Sequence, residues 1–348
     1  MQPLVSILIP CYNSERWIGY AIESALGQTW PNKQLIVLDD GSTDDSLNVI
    51  RRYESHLRWE TGQNRGGGYA RNRLLEMASG EWVQYLDADD YLYSTALRRI
   101  VESQSPEAAQ YQYRLDLLGA DGKVMDTYPP KGFRWDDGDV TEALLTRGRY
   151  ATTVTSGLAF SRSALDRIMP MDEEAFRMGG DGYLVTVAPF YGRVVTIEEV
   201  LGAYHQHGGN HSQFAADMAR GARWRMDHDM MRYQALMNHA RRQSKSPRPD
   251  LWRNDPLHLE GRMASLLLDP NEHPHSHDTR QAIARCGLMA CRNLPMSRRR
   301  RGIMRLAWWI VGWGPLPLAR SALRWKLQAE SRPAMVKQLA KFLRVAAG

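Results

Sequence analysis

Short apolar runs alternate with amphipathic stretches along the first hundred residues. The runs predict four buried strands, at 5–9, 34–38, 57–60 and 82–86. The stretches between and after them have apolar residues at helical spacing and predict helices at 15–26, 44–53, 69–78 and 91–100. Strands and helices that alternate in this way form a mostly parallel sheet with helices on both faces. The pattern therefore predicts an α/β domain.

Polar side chains follow three of these strands, at the point where each strand ends. They are Tyr12-Asn13 after the first strand, Asp39-Asp40 after the second, and residues 87–90 after the fourth. In sheets of this kind, ligands bind beyond the carboxyl ends of the strands. We therefore expect the three clusters to form a single site.

The sequence Asp87-Ala88-Asp89-Asp90 places three carboxylates within four residues. Like charges this close repel, and each raises the pKa of its neighbours. A divalent cation would neutralise them, and Mg²⁺ or Mn²⁺ takes oxygen ligands that it shares with substrate phosphates. The cluster therefore predicts a metal and nucleotide-phosphate site. The alternative is an acidic turn that caps the following helix, because Asp is common at such positions.

Three consecutive glycines, residues 66–68, precede the third predicted helix. They match neither the spaced glycines of dinucleotide-binding folds nor the phosphate loop that ends in Gly-Lys-Ser/Thr. One interpretation is a flexible loop, and the other is a loop whose backbone approaches a ligand closely. Arg71 follows within one helical turn and suits a phosphate or a carboxylate, although an ordinary surface arginine is the alternative.

Several short motifs occur together in one order along the first two-thirds of the chain. They are Pro10-Cys11-Tyr12-Asn13, Asp39-Asp40-Gly41-Ser42, Asn64-Arg65-Gly66, Ala70-Arg71-Asn72 and Leu86-Asp87-Ala88-Asp89-Asp90. In these motifs the chain resembles the inverting family 2 glycosyltransferases. The resemblance implies the GT-A fold, a Rossmann-like α/β fold with a mostly parallel sheet, here followed by a C-terminal helical extension.

The resemblance also implies roles for the matching residues. Asp39 and Asp40 correspond to aspartates near the base and ribose of a nucleotide-sugar donor, and Arg71 corresponds to an arginine near the nucleotide. Asp89, together with Asp90, would hold the divalent cation, Mn²⁺ or Mg²⁺, that bridges the donor diphosphate. The other residues expected in the donor site are Pro10, Tyr12, Asn13, Asn64, Gly66, Asp87 and Ala88.

Two later motifs resemble the same family. Where the family has a Glu-Asp pair at the start of a helix, this chain has Gly180 followed by Asp181, and the resemblance implies that Asp181 is the general base. His207 matches the histidine of the family's closing motif and would contact the cation or the diphosphate. The alternatives are a helix-capping aspartate and a surface histidine.

The resemblance implies a catalytic domain over 1–212, with a nucleotide-binding half at 1–100 and an acceptor half at 101–212. Helical periodicity predicts an accessory helical region at 213–296. Residues 297–348 are expected to form a basic, tryptophan-rich helical tail.

The net charge of +6 is concentrated in this tail, where twelve basic side chains oppose one acidic side chain, Glu330. Its apolar run at 303–318 is too short and too interrupted to span a bilayer. Basic residues beside tryptophans favour a helix at an anionic membrane surface. A core helix with a basic solvent face, or a dimer contact, is the alternative. No nucleic-acid recognition motif accompanies the charge, so we expect no nucleic-acid partner.

The three cysteines form no disulfide framework and favour a reducing compartment. A strand pattern begins almost directly after Met1, which argues against a secretory leader. We therefore expect a cytoplasmic protein that associates peripherally with the inner face of the membrane. The sequence does not predict an oligomeric state.

We expect a metal-dependent inverting glycosyltransferase that moves a sugar, from a UDP-sugar in our prediction, to a hydroxyl of a glycan or lipid-linked acceptor in cell-surface polysaccharide synthesis. A sugar nucleotidyltransferase is one alternative, but such enzymes open with a glycine-rich loop where this chain has Pro10-Cys11-Tyr12-Asn13. A non-catalytic carbohydrate-binding or scaffold protein is the other, and it would not need the acidic cluster.

Overall fold

A computed structural model describes residues 2–103, 105–206, 217–292, 294 and 296–327. The chain divides into two compact units. Unit 1 comprises Met1–Glu142, Tyr150–His207 and Ala235–Lys245. Unit 2 comprises Ala143–Arg149, Gly208–Gln234 and Ser246–Gly348.

Unit 1 contains a nine-stranded sheet. Its strands are β1 (Val5–Cys11), β2 (Lys33–Asp39), β3 (Arg58–Thr61), β4 (Trp82–Tyr85), β5 (Tyr91–Leu92), β6 (Ala108–Leu118), β7 (Val124–Tyr128), β8 (Leu158–Ser161) and β9 (Arg193–His205). In the described part of the chain the helices are α1 (Ile18–Leu26), α2 (Ser46–Arg51), α3 (Gly67–Met77), α4 (Ala96–Glu102), α5 (Thr141–Arg147), α6 (Arg162–Ile168), α7 (Gly180–Val187), α8 (Met218–Arg242), α9 (Pro256–Leu268), α10 (Arg280–Ala290), α11 (Arg298–Trp313) and α12 (Leu316–Leu327).

The strand order is β3-β2-β1-β4-β8-β6-β9-β5, and β7 pairs with β6. The first four strands are parallel, as the alternating pattern predicts. The other half is mixed, because β8 is antiparallel to both β4 and β6 while β6 and β9 are parallel. The chain leaves β1 toward β2 on one side and returns to β4 on the other. The carboxyl ends of these three strands are therefore neighbours at the switch in strand order, where ligands bind in open α/β sheets.

The apolar runs become strands because both faces of the sheet are covered. Val5, Ile7 and Ile9 of β1 are fully buried and belong to the same core cluster as Ile18 and Ile22 of α1. Burying each of these side chains stabilises the fold by roughly 1.5–3 kcal/mol. This core fixes the strand ends that carry the polar clusters.

One element differs from the prediction. The segment from Tyr91 does not start a helix but forms the short strand β5, and α4 begins only at Ala96. Tyr91 and Leu92 pair with Ala203 and Gly202 of β9, about 110 residues away in sequence. Long-range strand pairing therefore overrides the local helical pattern, and the prediction was wrong there.

Unit 2 has a separate helical core. Its buried apolar side chains come mainly from α9, α10, α11 and α12. Trp308 of α11 is only 3% exposed, and a side chain at Gly287 of α10 would lie 2.2 Å from its ring. The core-helix interpretation therefore holds for this face of α11. None of the helices in the described part of the chain is both long enough and apolar enough to cross a membrane.

Unit 2 also contains a buried ion-pair cluster. Arg149 pairs with Asp229 and Asp255, and Arg232 donates to Asp229 at 2.9 Å. The Tyr233 hydroxyl donates to Asp255 at 2.7 Å. Both carboxylates are inaccessible to solvent. Each buried charge thus has an opposite charge beside it, which is the condition for tolerating ions in a protein interior.

Candidate active site

The polar clusters predicted after β1, β2 and β4 lie at one edge of the sheet. Cys11 at the end of β1 is paired with Asp39 at the end of β2, and the amide of Asp40 donates to the Cys11 carbonyl at 2.8 Å. Residues 87–90 follow directly on the other side of β1. The topology therefore brings together side chains that are far apart in the sequence.

Asp39 is almost completely buried and is held by two contacts. The Thr61 hydroxyl donates to its Oδ2 at 2.7 Å, and the Ser42 amide donates to its Oδ1 at 3.3 Å. The carboxylate is thus fixed at the end of β2. Thr61, at the end of β3, lies outside every sequence motif, and we did not predict it.

Asp40 holds the loop that precedes α3. Its two oxygens accept the amides of Arg65 at 2.8 Å and Gly66 at 2.7 Å. Gly41 has φ +74°, and a side chain there would lie 2.6 Å from the Asn64 amide. Asp40 and Gly41 therefore fasten two loops of the site to each other.

Asn13 organises the loop after β1. The side-chain Oδ1 of Asn13 accepts the Thr43 backbone amide at 2.8 Å, and the backbone amide of Asn13 donates to the Ser42 hydroxyl at 2.9 Å. The neighbouring Tyr12 is exposed, and Pro10 is half-buried. The amide side chain of Asn13 thus supports the loop, and the Tyr12 ring is accessible beside it.

Arg71 is not a surface arginine, since it is only 9% exposed. Its Nη2 donates to Asp87 Oδ1 at 3.2 Å and its Nη1 donates to the Gly67 carbonyl at 3.3 Å. Its buried Nε has no hydrogen-bond partner within the described ranges. The guanidinium therefore links α3 to the acidic cluster and retains an unused donor.

The carboxylates of the cluster lie close together, and Arg71 pairs with one of them, Asp87. Burial raises the pKa of Asp87 to about 6; the Arg71 guanidinium opposes this rise, and the Asp89 and Asp181 carboxylates add to it. The effect of Asp181 means that it lies near Asp87, although the two are far apart in sequence. One arginine therefore faces several acids.

Asp90 lies behind the other two and is only 1% exposed, whereas Asp89 is half-exposed and Ala88 is buried. The Asp90 Oδ1 accepts the His205 amide at 2.9 Å. The Asp90 Oδ2 is buried and has no partner of ordinary hydrogen-bond geometry in the described structure. Burial, and then Asp89 and Asp87, raise the pKa of Asp90 well above its usual range.

No group of three or more His, Cys, Asp or Glu side chains among residues 2–206 and 217–327, as far as they are described, is arranged to hold a metal ion by itself. His207, predicted as a metal ligand, lies outside the described residues. The chemistry of the cluster still suits a hard cation, because carboxylate oxygens are its preferred ligands and substrate phosphates commonly complete its coordination.

The three glycines permit a close approach to another segment of the chain. A side chain at Gly66 would lie 2.6 Å from the Arg177 carbonyl, and one at Gly68 would lie 2.8 Å from the Phe176 carbonyl. The Gly67 amide donates to Arg177 at 2.8 Å. The contact that the glycine run makes is therefore with the protein's own backbone.

Asp181 is the second residue of α7 and lies in its first turn. Gly179, the residue before the helix, has φ +75°. A side chain at Gly180 would lie 3.1 Å from Met171 Sδ and 3.5 Å from Arg71 Cδ. A β-carbon here would press on the Met171 side chain, which would have to move to admit the glutamate that the resembling family has at this position. The glycine therefore lets α7 pack close to Arg71 and brings Asp181 toward the acidic cluster.

Ser156 is a member of the site that the sequence did not suggest. Its hydroxyl accepts the Asp87 amide at 3.2 Å, and its carbonyl accepts the Tyr113 hydroxyl at 2.9 Å. It precedes β8, whose antiparallel pairing with β4 brings it there. Only knowledge of that pairing could have identified it.

Comparison with known proteins gives consistent matches. The family model "Glycosyl transferase family 2" matches residues 6–168. An uncharacterized glycosyltransferase of Nostoc sp. is 32% identical over 219 residues, which are 61% of this chain and 67% of that protein. TuaG of Bacillus subtilis, a putative teichuronic acid biosynthesis glycosyltransferase, is 31% identical over 144 residues, 39% of this chain and 57% of TuaG. WfaP of Escherichia coli, a UDP-Glc:alpha-D-GlcNAc-diphosphoundecaprenol beta-1,3-glucosyltransferase, is 34% identical over 112 residues, 32% of this chain and 45% of WfaP.

Proposed function

The chain belongs to glycosyl transferase family 2 and has its GT-A fold, and on that basis we propose that it transfers a sugar from a UDP-sugar to an acceptor hydroxyl with inversion. The observation that carries the proposal is the acidic cluster at the end of β4. The pKa values of Asp87 and Asp90 are raised, and the Arg71 guanidinium pairs with Asp87. A site of this kind suits a cation and a diphosphate.

The nucleotide is proposed to bind at the loops after β1 and β2. Tyr12 offers an accessible ring to the base, and the fixed Asp39 carboxylate offers an acceptor for its polar groups. The Arg71 guanidinium has an unused buried donor, Nε, and pairs with Asp87. These groups support the binding of a nucleotide diphosphate at this edge of the sheet.

Asp89 is proposed to hold the divalent cation, because its carboxylate is half-exposed, whereas Asp87, which is also half-exposed, pairs with Arg71. When bound, such a cation stabilises the negative charge of the departing diphosphate. Asp90, buried behind Asp89, adds negative charge there, and we retain Asp90 and His207 as proposed contributors. The coordination would be completed by donor phosphates.

Asp181 is proposed as the general base. Its carboxylate takes the proton of the acceptor hydroxyl, the acceptor oxygen bonds to the anomeric carbon, and the bond from that carbon to the diphosphate oxygen breaks. Attack from the face opposite the leaving group inverts the anomeric configuration. The nucleoside diphosphate then leaves with the electron pair of the broken bond.

The acceptor is proposed to be a glycan or lipid-linked hydroxyl in cell-surface polysaccharide synthesis. The names of two relatives support this class, since TuaG is assigned to teichuronic acid and WfaP to a diphosphoundecaprenol-linked sugar. The same WfaP name supports a UDP-linked donor.

The experiment that tests this function combines a donor screen with a variant. Thermal shift in the presence of Mn²⁺ should identify the nucleotide that stabilises the protein by mass action. With that donor, Asp181→Asn should lower transfer about a hundredfold or more while donor binding is nearly unchanged. Asp166→Asn, at an exposed carboxylate on α6, is the matched control and should transfer normally.

The outcomes separate the alternatives. A transferase releases nucleoside diphosphate when donor and acceptor are both present. Exchange of labelled pyrophosphate into the donor would instead indicate a nucleotidyltransferase. Binding of sugars without any turnover would indicate a carbohydrate-binding protein, and normal turnover by Asp181→Asn would remove Asp181 from its role.

Membrane association is proposed for one face of α11 and the start of α12, which we name the outer stripe. Its large apolar side chains are exposed, from 38% at Trp313 to 58% at Leu306. They are Ile303, Leu306, Trp309, Trp313, Leu316 and Leu318. Exposed arginines at 298–300 and 305 border the stripe. Tryptophan and arginine beside one another favour the headgroup region of an anionic bilayer.

Point variants test this surface, because removing the tail would take Trp308 and Val311 out of the core of unit 2. Trp309→Ser with Trp313→Ser should abolish sedimentation with vesicles that contain phosphatidylglycerol. Tyr20→Ser, at an exposed aromatic of α1, is the control. Failure of the unaltered protein to bind these vesicles at low salt would refute the proposal, and concentration-dependent dimers lost in the tryptophan variant would assign the stripe to a second copy.

A further inference from the structure

The segment at 171–177, between α6 and α7, contacts both the loop before α3 and the helix that carries Asp181. We name this segment the clamp and the loop at 64–68 the donor loop. We infer that the clamp fixes Asp181 relative to the donor loop, and that Asn72 and Arg177 are positioning residues for removal of the acceptor proton. This inference rests on the proposed function.

The first attachment is made by Asn72 of α3, which is buried. Its Oδ1 accepts the Met171 amide at 2.9 Å, and its Nδ2 donates to the Met171 carbonyl at 2.9 Å. The same Nδ2 lies 3.3 Å from Glu173 Oε1. A side-chain amide that bonds both backbone groups of one residue fixes the position and the direction of the clamp at that point.

The second attachment joins the clamp to the donor loop. Arg177 donates from Nη2 to Asn64 Oδ1 at 2.8 Å and from Nη1 to the Arg65 carbonyl at 3.0 Å. Its own carbonyl accepts the Gly67 amide at 2.8 Å. Arg65 returns an ion pair to Glu173 at 2.7 Å. The donor loop and the clamp therefore move together.

The third attachment joins the clamp to α7. The rings of Phe176 and Tyr183 lie 5.0 Å apart between centroids, and both side chains are buried. Met171 packs where a side chain at Gly180 would be, 3.1 Å away. Gly180 and Tyr183 flank Asp181 in α7, so the clamp contacts the helix on both sides of the base.

The clamp is also rigid in itself. Asp172 Oδ1 accepts the amides of Glu174 and Ala175, each at 3.0 Å, and the Asp172 carbonyl accepts the Phe176 amide at 3.0 Å. A segment with this many internal bonds transmits a displacement rather than absorbing it. Movement at the donor loop is therefore passed on to Asp181.

The donor sugar can be transferred either to the acceptor hydroxyl or to water, and the clamp should affect these two reactions differently. Deprotonation of the acceptor needs Asp181 within hydrogen-bond reach of its hydroxyl, and a misplacement of about 1 Å can cost about a hundredfold in rate. Slow transfer of the sugar to water needs no positioned acceptor base. Loosening the clamp should therefore lower transfer more than hydrolysis.

The ratio of transfer to hydrolysis tests this inference, since a partly unfolded sample lowers both rates equally and leaves the ratio unchanged. In Arg177→Ala we expect the ratio to fall about tenfold, with the KM for the donor changed less than kcat. Arg177→Lys should restore part of the loss. Arg73→Ala is the matched control, because that arginine of α3 pairs with Glu60 and Glu76 and does not contact the clamp.

A second variant tests the attachment that Asn72 makes to the clamp. Asn72→Asp keeps the acceptor for the Met171 amide but removes the donor and repels Glu173, so the ratio should fall again. If both variants keep the ratio of the unaltered protein while Asp181→Asn loses transfer, the clamp does not position the base and the proposed function still stands. If the unaltered protein turns over no donor at all, the proposed function itself fails.

Discussion

Two groups of acidic side chains contrast sharply in this chain. In unit 2, Asp229 and Asp255 lie against Arg149 and Arg232. Burial alone would raise the pKa of Asp229, but Arg149, the hydrogen bond with His258, and Arg232 hold it well below its usual range. In unit 1, the acids at 87–90 face one arginine, and the pKa values of two of them are raised.

The difference indicates what each group is for. A buried charge that the protein compensates itself stabilises one packing arrangement, because removal of any partner leaves an isolated ion. A buried charge that the protein leaves uncompensated costs free energy and is retained where a ligand supplies the missing partner. Both groups are acidic, and the balance of charge around them distinguishes the structural group from the proposed site.

The largest effect is expected from Asp89→Ala. Removing this half-exposed carboxylate should abolish transfer and weaken metal-dependent donor binding while the fold persists. The measurements are release of nucleoside diphosphate and thermal shift with Mn²⁺ and donor. Asp121→Ala, at an exposed carboxylate, is the control.

Chelation offers an independent check of the same prediction. Excess chelator should stop the unaltered enzyme, and added Mn²⁺ should restore it. Full activity in Asp89→Ala, or in the presence of excess chelator, would show that transfer needs no cation and that the acidic cluster at 87–90 has another role.

Next in size is the effect of Arg149→Ala on stability. The change leaves Asp229 and Asp255 with too little positive charge, and we expect the free energy of unfolding of unit 2 to fall by about 3–5 kcal/mol. Arg99→Ala, which also removes two carboxylate pairs but at an exposed position, should cost much less, because water screens exposed ion pairs. Similar losses for the two variants in denaturant unfolding would contradict the contrast drawn between the groups.

The smallest predicted effect is an opposite pH dependence of the two units. The pKa of Asp87 is about 6 in the folded protein and near 3.8 in the unfolded chain, so the folded state binds this proton more tightly. Without a cation, unit 1 should therefore lose stability as the pH rises from about 4 to about 6. The folded Asp229 binds its proton less tightly, so unit 2 should lose stability as the pH falls below about 4. Hydrogen exchange at each pH measures the units separately. Equal slopes of the same sign in both units would be inconsistent with these shifts.

Much of unit 1 follows from the sequence. Buried parallel strands are apolar throughout, so their runs are visible, and polar residues at their ends mark the site edge by topology alone. Tyr91 was mispredicted because its strand partner is in β9, which no local pattern reveals. Ser156 and Arg177 were missed for the same reason, since antiparallel pairing and loop packing bring them to the site.

The helical tail shows another limit. Trp308 and Trp309 are adjacent and identical in type, yet the first is buried against α10 and the second is 55% exposed. A helix that is apolar on more than one side does not indicate which side faces the core. The sequence predicted a basic, tryptophan-rich helix here. Its orientation is decided by the packing of Trp308 against Gly287.

The two bonds from Asp40 to the amides of Arg65 and Gly66 have a thermodynamic consequence. Ordering a loop backbone costs roughly 1–2 kcal/mol of conformational entropy per residue. Because the chain orders this loop as it folds, that entropy is lost before any nucleotide arrives, and the loop is preorganised. Replacing Asp40 would remove these two bonds and would therefore reduce affinity for the proposed nucleotide through a less favourable binding entropy. The effect would be indirect, because the carboxylate oxygens of Asp40 are already engaged by the protein's own backbone.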